Sequence, residues 1–243
     1  MSFTLDSLNT NNDGYGVDCA DFSLQIHLLH YTPLSVCSRA IRTCWDSHAK
    51  SDCGGEIDKE LIYRVGNKNK HKSTLEHLFY NFEIIGISRA CLQELARHRM
   101  ASLSVKSTRY TLKELRKEES FLPDNSQDSL HCSQELLGRA AKYIVITKNT
   151  RVNIANLQAL ENLRLVLSEG NPNDEAKYCL PECYKTQLVW SVNARSLQNF
   201  LELRTSKNAL FEIRKLASSI FHSLPNDHKY LFEEFINDND IAD

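Results

Sequence analysis

After Pro33 the apolar residues Leu34, Cys37, Ile41 and Trp45 recur at steps of three and four, which predicts an amphipathic helix ending near Ser47. Asp52-Cys53-Gly54-Gly55 reads as a turn. Residues 78–87, LFYNFEIIGI, are aromatic and β-branched with no proline, the pattern of a buried strand. A short helix is expected over roughly 88–99. A longer one is expected over 151–169, where Ile154, Leu157, Leu160, Leu163 and Leu167 keep helical spacing until Gly170-Asn171-Pro172 stops it. In 184–193, YKTQLVWSVN, the period changes to two. Leu188, Trp190 and Val192 point one way, and Lys185, Gln187, Ser191 and Asn193 the other, so one face of this strand lies on the core. Helical patterns resume over 194–204 and 207–222. Residues 1–22, rich in Asn, Asp, Ser and Gly, read as a mobile tail, and 121–129 (FLPDNSQDS) as a surface loop. Without internal repeat or linker, 23–243 forms a single α+β domain.

A chain of 243 residues is long enough for a substantial core. Its 29 Lys+Arg against 31 Asp+Glu give a net charge of −2, which argues against a nucleic-acid coat or a membrane-surface protein but allows one local cationic site. No apolar run approaches the roughly 18–20 residues that span a bilayer. The first residues lack the basic and apolar regions of a secretory leader, so a cytoplasmic location is expected. The eight cysteines contain no CxxC pair and are expected to be reduced, most of them as small buried hydrophobes. The glycines form neither GxGxxG nor GxxxxGK[ST], which removes support for a Rossmann or P-loop nucleotide site. His71, Glu76 and His77 match no common zinc spacing, and no metal is expected.

One segment concentrates polar chemistry. From Leu95 to Lys113 there is no carboxylate, while Arg97, His98, Arg99, Lys106, Arg109 and Lys113 share the window with the hydroxyls of Ser102, Ser104, Ser107, Thr108, Tyr110 and Thr111. Guanidinium forks with hydroxyls are what a phosphate dianion requires, because charge-assisted hydrogen bonds are short and strong. A solvated basic face is the competing reading of the same residues. A helix carrying Glu94, Arg97 and His98 on one side, with Cys91, Leu92, Leu95 and Ala96 on the other, would deliver these groups to a cleft edge before a Ser/Thr-rich turn. Tyr110 is placed either to stack on a base or to pack.

Arg97-His98-Arg99, followed after seven residues by Ser107, resembles the RHR-x7-S signature of the flavin-dependent thymidylate synthases, and Arg109-Tyr110 its extended ending. Asn193-Ala194-Arg195-Ser196-Leu197, with Asn199 and Arg204, resembles a second block of that family, and His71-Lys72-Ser73-Thr74-Leu75-Glu76-His77 a third, all in the family's order. The resemblance implies a single catalytic α+β domain with a central, mainly antiparallel twisted sheet flanked by helices, assembled as a homotetramer with shared active sites. It implies reductive methylation of dUMP to dTMP, with FAD as cofactor, methylenetetrahydrofolate as carbon donor and NADPH as reductant. Catalytic roles would fall to Arg204 and Ser107. Flavin would be held by Ser73, Arg97, His98, Arg99, Asn193, Arg195 and Asn199. The nucleotide would be held by Glu94, Arg97, Ser107, Thr108, Arg109, Lys177 and Arg204, with His71 near flavin and folate. Glu94 stands where the family usually has glutamine, Ser104 and Val105 where it has Asn and Glu, and Lys177 where it has arginine. Two further readings remain: a family member that binds flavin and nucleotide but turns over poorly, and a nucleic-acid-binding module built on 97–113.

Overall fold

A computed structural model describes residues 24–122 and 134–236. Four strands, β1 (Gln25–Tyr31), β2 (Phe79–Ser88), β3 (Ala101–Val105) and β4 (Lys185–Asn193), form one sheet in the order β1-β2-β4-β3, and every pairing is antiparallel. The helices are α1 (Leu34–Thr43), α2 (Glu56–Tyr63), α3 (Arg89–Ala96), the single turn α4 (Thr108–Thr111), α5 (Gln134–Ala140), α6 (Thr150–Ser168), the single turn α7 (Asn173–Ala176), α8 (Ala194–Arg204) and α9 (Phe211–Ser223). The proposed tail, most of the 121–129 loop, Cys19 and Cys132 lie outside the described residues. None of the described helices is long and apolar enough to cross a membrane.

The period-two pattern fixes which side of the sheet is covered. Tyr80, Phe82 and Ile84 of β2 and Leu188, Trp190 and Val192 of β4 are buried beneath the apolar stripes of α1, α3, α8 and α9. Between Ile85 and Ile87 the β2–β4 register shifts at Gly86, whose φ of +88° a side chain would oppose. The bulge returns Ile87 to the buried face. The opposite face, with Asn81, Glu83, Gln187, Val189 and Ser191, stays partly exposed, and Phe79, Ser102 and Ser104 are open to solvent. A second core, formed by Leu112, Leu115, Phe121, Ile144 and the inward side of α6, sits in the stretch between β3 and β4.

Several expectations change. The Ser/Thr-rich turn after Arg99 is strand β3, in which Ala101 and Leu103 pack on the main core while the serines face out. Strand β1 and helix α2 carry no expectation at all in the sequence reading. Helix α1 stops at Thr43, and the left-handed Asp46 (φ 47°) turns the chain, leaving Trp45 80% exposed. Ala96 is exposed. The last helix begins at Phe211, after a turn. Of the six described cysteines, all free, only Cys37 and Cys91 are buried, and Cys44, Cys53 and Cys179 are exposed.

Candidate active site

The side chain of Asn193 caps α8 by accepting from the Ser196 N–H at 2.9 Å, so strand β4 passes directly into a helix with a fixed start. Leu197, Gln198, Phe200 and Leu201 point inward, which leaves Arg195 and Asn199 exposed four residues apart on the outer side. Arg204 closes the helix, where a cation suits the dipole. Its Nη1 donates to Glu94 Oε2 at 2.7 Å, its Nη2 to the Glu94 carbonyl at 3.3 Å, and its Nε to His98 Nε2 at 3.0 Å. A histidine nitrogen that accepts is unprotonated. Burial first, and then the Arg204 charge, bring His98 down to about 4, so at neutral pH it is a neutral acceptor packed edge-on to Phe200. Arg97 approaches the other Glu94 oxygen at 3.9 Å and is largely exposed, as is Arg99. The expected Glu94–Arg97–His98 face exists, and Arg204 completes it.

Beside α8 the 3-10 turn Lys72–His77 is anchored by fully buried Leu75 and by the Cys37 thiol donating to the Thr74 carbonyl at 3.2 Å. Gly66 lets this turn sit close, because a Cβ there would lie 2.8 Å from Leu75 Cδ2. Ser73 and the preceding His71 are exposed, and Glu76 holds Arg195 at 2.7 Å. Glu76, read in the sequence as part of the third family block and as an unconvincing metal ligand, is an arginine partner. Among the described residues no cluster fit to hold a metal occurs.

A third group lies on the second core. Ser107 precedes the α4 turn, and Arg109 makes a two-pronged pair with Asp174 on α7, Nε–Oδ1 2.6 Å and Nη2–Oδ2 3.1 Å. Asn173 Nδ2 donates to the Arg109 carbonyl at 2.9 Å. Lys177 follows at the end of α7, close enough to help hold Asp174 below the usual carboxylate range, after the Arg109 hydrogen bond that contributes most. Thr108 lines a cleft of about 310 Å³ with Lys106, Thr111, Glu114, Tyr184 and Gln187. Tyr110 is 70% exposed and does not pack in the core. Among the described residues no hydrogen bond or ion pair joins this group to the Arg204 group. Asp174 has no place in the sequence reading. Its one signal is a carboxylate one turn before Lys177.

The profile of the family described as "Thymidylate synthase complementing protein" matches residues 27–226. A flavin-dependent thymidylate synthase of Wolinella succinogenes is 61% identical over 209 residues, covering 86% of this chain and 97% of the relative. The chain belongs to the flavin-dependent thymidylate synthase family. The family's Helicobacter pylori member is 57% identical over 212 residues, covering 87% of this chain and 98% of the relative. A crystal structure of thymidylate synthase X from Helicobacter pylori, with FAD and dUMP, matches with a TM-score of 0.81 and 55% identity over 88% of this chain and 100% of that one. The sheet, its helices and the second core therefore form a flavin-dependent thymidylate synthase fold.

Proposed function

We propose that the protein converts dUMP to dTMP, with FAD as cofactor, methylenetetrahydrofolate as carbon donor and NADPH as reductant. The observation that carries this reading is the joining of Arg204, Glu94 and His98 from blocks about a hundred residues apart, in a chain 55% identical to an enzyme solved with FAD and dUMP. The exposed donors fit a flavin nucleotide. Arg97, Arg99 and Arg195 offer guanidinium forks to a pyrophosphate, while Ser73 and Asn199 offer a hydroxyl and an amide, and His98 a neutral imidazole. Asn193 has its oxygen committed to the helix cap, so only its amide N–H groups remain for the flavin. When bound, the flavin supplies the hydride-transfer chemistry.

Ser107, Thr108, Arg109 and Lys177 grip the nucleotide phosphate, with Glu94, Arg97 and Arg204 toward its base and His71 near flavin and folate. Arg204 presents its guanidinium to negative charge developing on the pyrimidine, while Ser107 orients the nucleotide from the other end. Glu94 and His98 hold that guanidinium in place. Cys91, on the buried side of the same helix, is kept as a thiol by burial and is no nucleophile. The partly exposed sheet face, and the absence among the described residues of a hydrogen bond or ion pair joining the Arg204 and Arg109 groups, support a homotetramer in which facing subunits complete each site. The near-neutral charge and the carboxylate partners of Arg109, Arg195 and Arg204 weigh against the nucleic-acid module. A cytoplasmic location is in keeping with this chemistry.

The test is the visible spectrum of the purified protein after FAD loading and removal of excess, followed by dUMP-dependent NADPH oxidation with methylenetetrahydrofolate. Stoichiometric flavin bands and dTMP formation are expected. A protein that stays colourless overturns the assignment, and bound flavin without turnover supports the poorly active variant of it.

A further inference from the structure

The Arg109–Asp174 pair is unusual in its setting. It is two-pronged, with distances of 2.6 and 3.1 Å, yet its side chains are 54% and 58% exposed. A pair so exposed contributes little to stability. Nor is it needed to fasten α7 to α4, because the neighbouring Asn173 already donates to the Arg109 carbonyl at 2.9 Å. Two carboxylate oxygens on the Nε–Nη2 edge of a guanidinium occupy the same donors that two phosphate oxygens would take. Lys177, the second cation, also acts on this carboxylate.

We propose that Asp174 is a stand-in for the phosphate of the nucleotide, holding Arg109 aligned in the empty protein and yielding its place when a phosphate dianion arrives. This rests on the reading of Arg109 as a phosphate ligand. The dianion prevails because it brings twice the charge to the same donors and to Lys177. A singly charged or uncharged solute does not displace the internal carboxylate as readily. Asp174 thereby sets a threshold that favours phosphomonoesters over chloride, carboxylates and the bare nucleoside, and it keeps an exposed arginine from collecting other anions.

The experiment uses the FAD-loaded protein and compares Asp174→Asn with the parent for dUMP, deoxyuridine and inorganic phosphate, by calorimetry and by competition in the turnover assay. Freed of its internal competitor, Asp174→Asn is expected to bind dUMP and inorganic phosphate roughly two- to fivefold more tightly, the range an exposed ion pair commands. Deoxyuridine, which lacks the phosphate, should be unaffected. Asp174→Glu, which keeps the carboxylate, should return affinities toward the parent values. Weaker dUMP binding in Asp174→Asn, or unchanged affinity for both phosphate-bearing ligands, overturns the stand-in. Arg109→Ala separates the two layers of the argument. If it leaves dUMP and phosphate affinity unchanged, the underlying reading of Arg109 fails and the proposal with it. If it weakens both while Asp174→Asn tightens neither, only the stand-in fails.

Discussion

Replacing Arg204 by alanine removes a guanidinium that makes three contacts: two with Glu94, at 2.7 and 3.3 Å, and one with His98 at 3.0 Å. Two consequences separate experimentally. The first concerns turnover. Loss of one preorganised charge donor at a reacting centre lowers the rate on the order of 100-fold or more, equivalent to about 2.7–4 kcal/mol. The second concerns the fold. Arg204 is 16% exposed and Glu94 33%, so the pair is screened on one side, and its loss should cost about 1–2 kcal/mol, below the roughly 3–5 of a fully buried pair. For a domain of this size that lowers the melting temperature by about 2–8 °C. His98 provides an independent reporter. It loses a cation that pushes it down and keeps Glu94, which pushes it up, so its titration should move back from about 4 toward the ordinary histidine range. The assays are dUMP-dependent NADPH oxidation, flavin stoichiometry by absorbance and histidine NMR against pH. Arg204→Lys, which keeps charge but loses the fork, should fall between parent and alanine. Turnover within threefold of the parent, with flavin bound, would refute the role given to Arg204.

Asp58 is fully buried. Burial alone would raise it, but bonds from Ser51, Arg42, Ser38 and the Gly54 N–H outweigh that and hold it at about 2. Asp58→Asn strands Arg42, which is 4% exposed, and should cost about 3–5 kcal/mol in denaturant melts. In the parent the same group contributes stability above its ordinary pKa of 3.8 that disappears as pH falls toward 2, readable as a steepened acid transition absent from the variant. His98 acts in the same sense over a higher window: the unfolded chain takes up its proton near 6.5, the folded one near 4, so acidification across that window also lowers stability. If the neutral ring is what turnover requires, the acid limb of the rate profile lies near 4; a limb near 6.5 would count against it. Gly66→Ala places a Cβ 2.8 Å from buried Leu75 and should destabilise by about 1–3 kcal/mol while loosening flavin, measured by fluorescence titration.

Strand β4 was legible because a strand with one covered face writes its geometry as strict alternation, and α6 because 19 residues give the 3.6 period room to repeat. The same period-two signal was present in Ala101–Val105, but five residues rich in serine beside Arg-His-Arg read more readily as a turn. Strand β1, QIHLLHY, lies at the sheet edge with five of seven residues exposed, so little selects for alternation. At the site, side chains on one helix turn were foreseeable, as Glu94, Arg97 and His98 illustrate. Pairings across the fold were less so. That Glu76 meets Arg195 and Asp174 meets Arg109 depends on how separate elements dock, and a single carboxylate in a sequence carries no mark of the arginine it will face.

Strands β3 and β4 are antiparallel neighbours, with Val105 opposite Leu188, so the entire stretch 106–184, second core included, is topologically the loop of a hairpin. The entropy of closing a loop rises only with the logarithm of its length, about 0.6 kcal/mol for each doubling. Natural selection can therefore resize or rebuild this insertion while the sheet, its bulge and the α8 cap stay as they are. Ser107, Arg109 and Lys177 ride on an interchangeable cassette, whereas Arg195, Asn199 and Arg204 belong to a fixed chassis. Over evolutionary time, the Arg109 group and the Arg204 group can drift at different rates within one polypeptide.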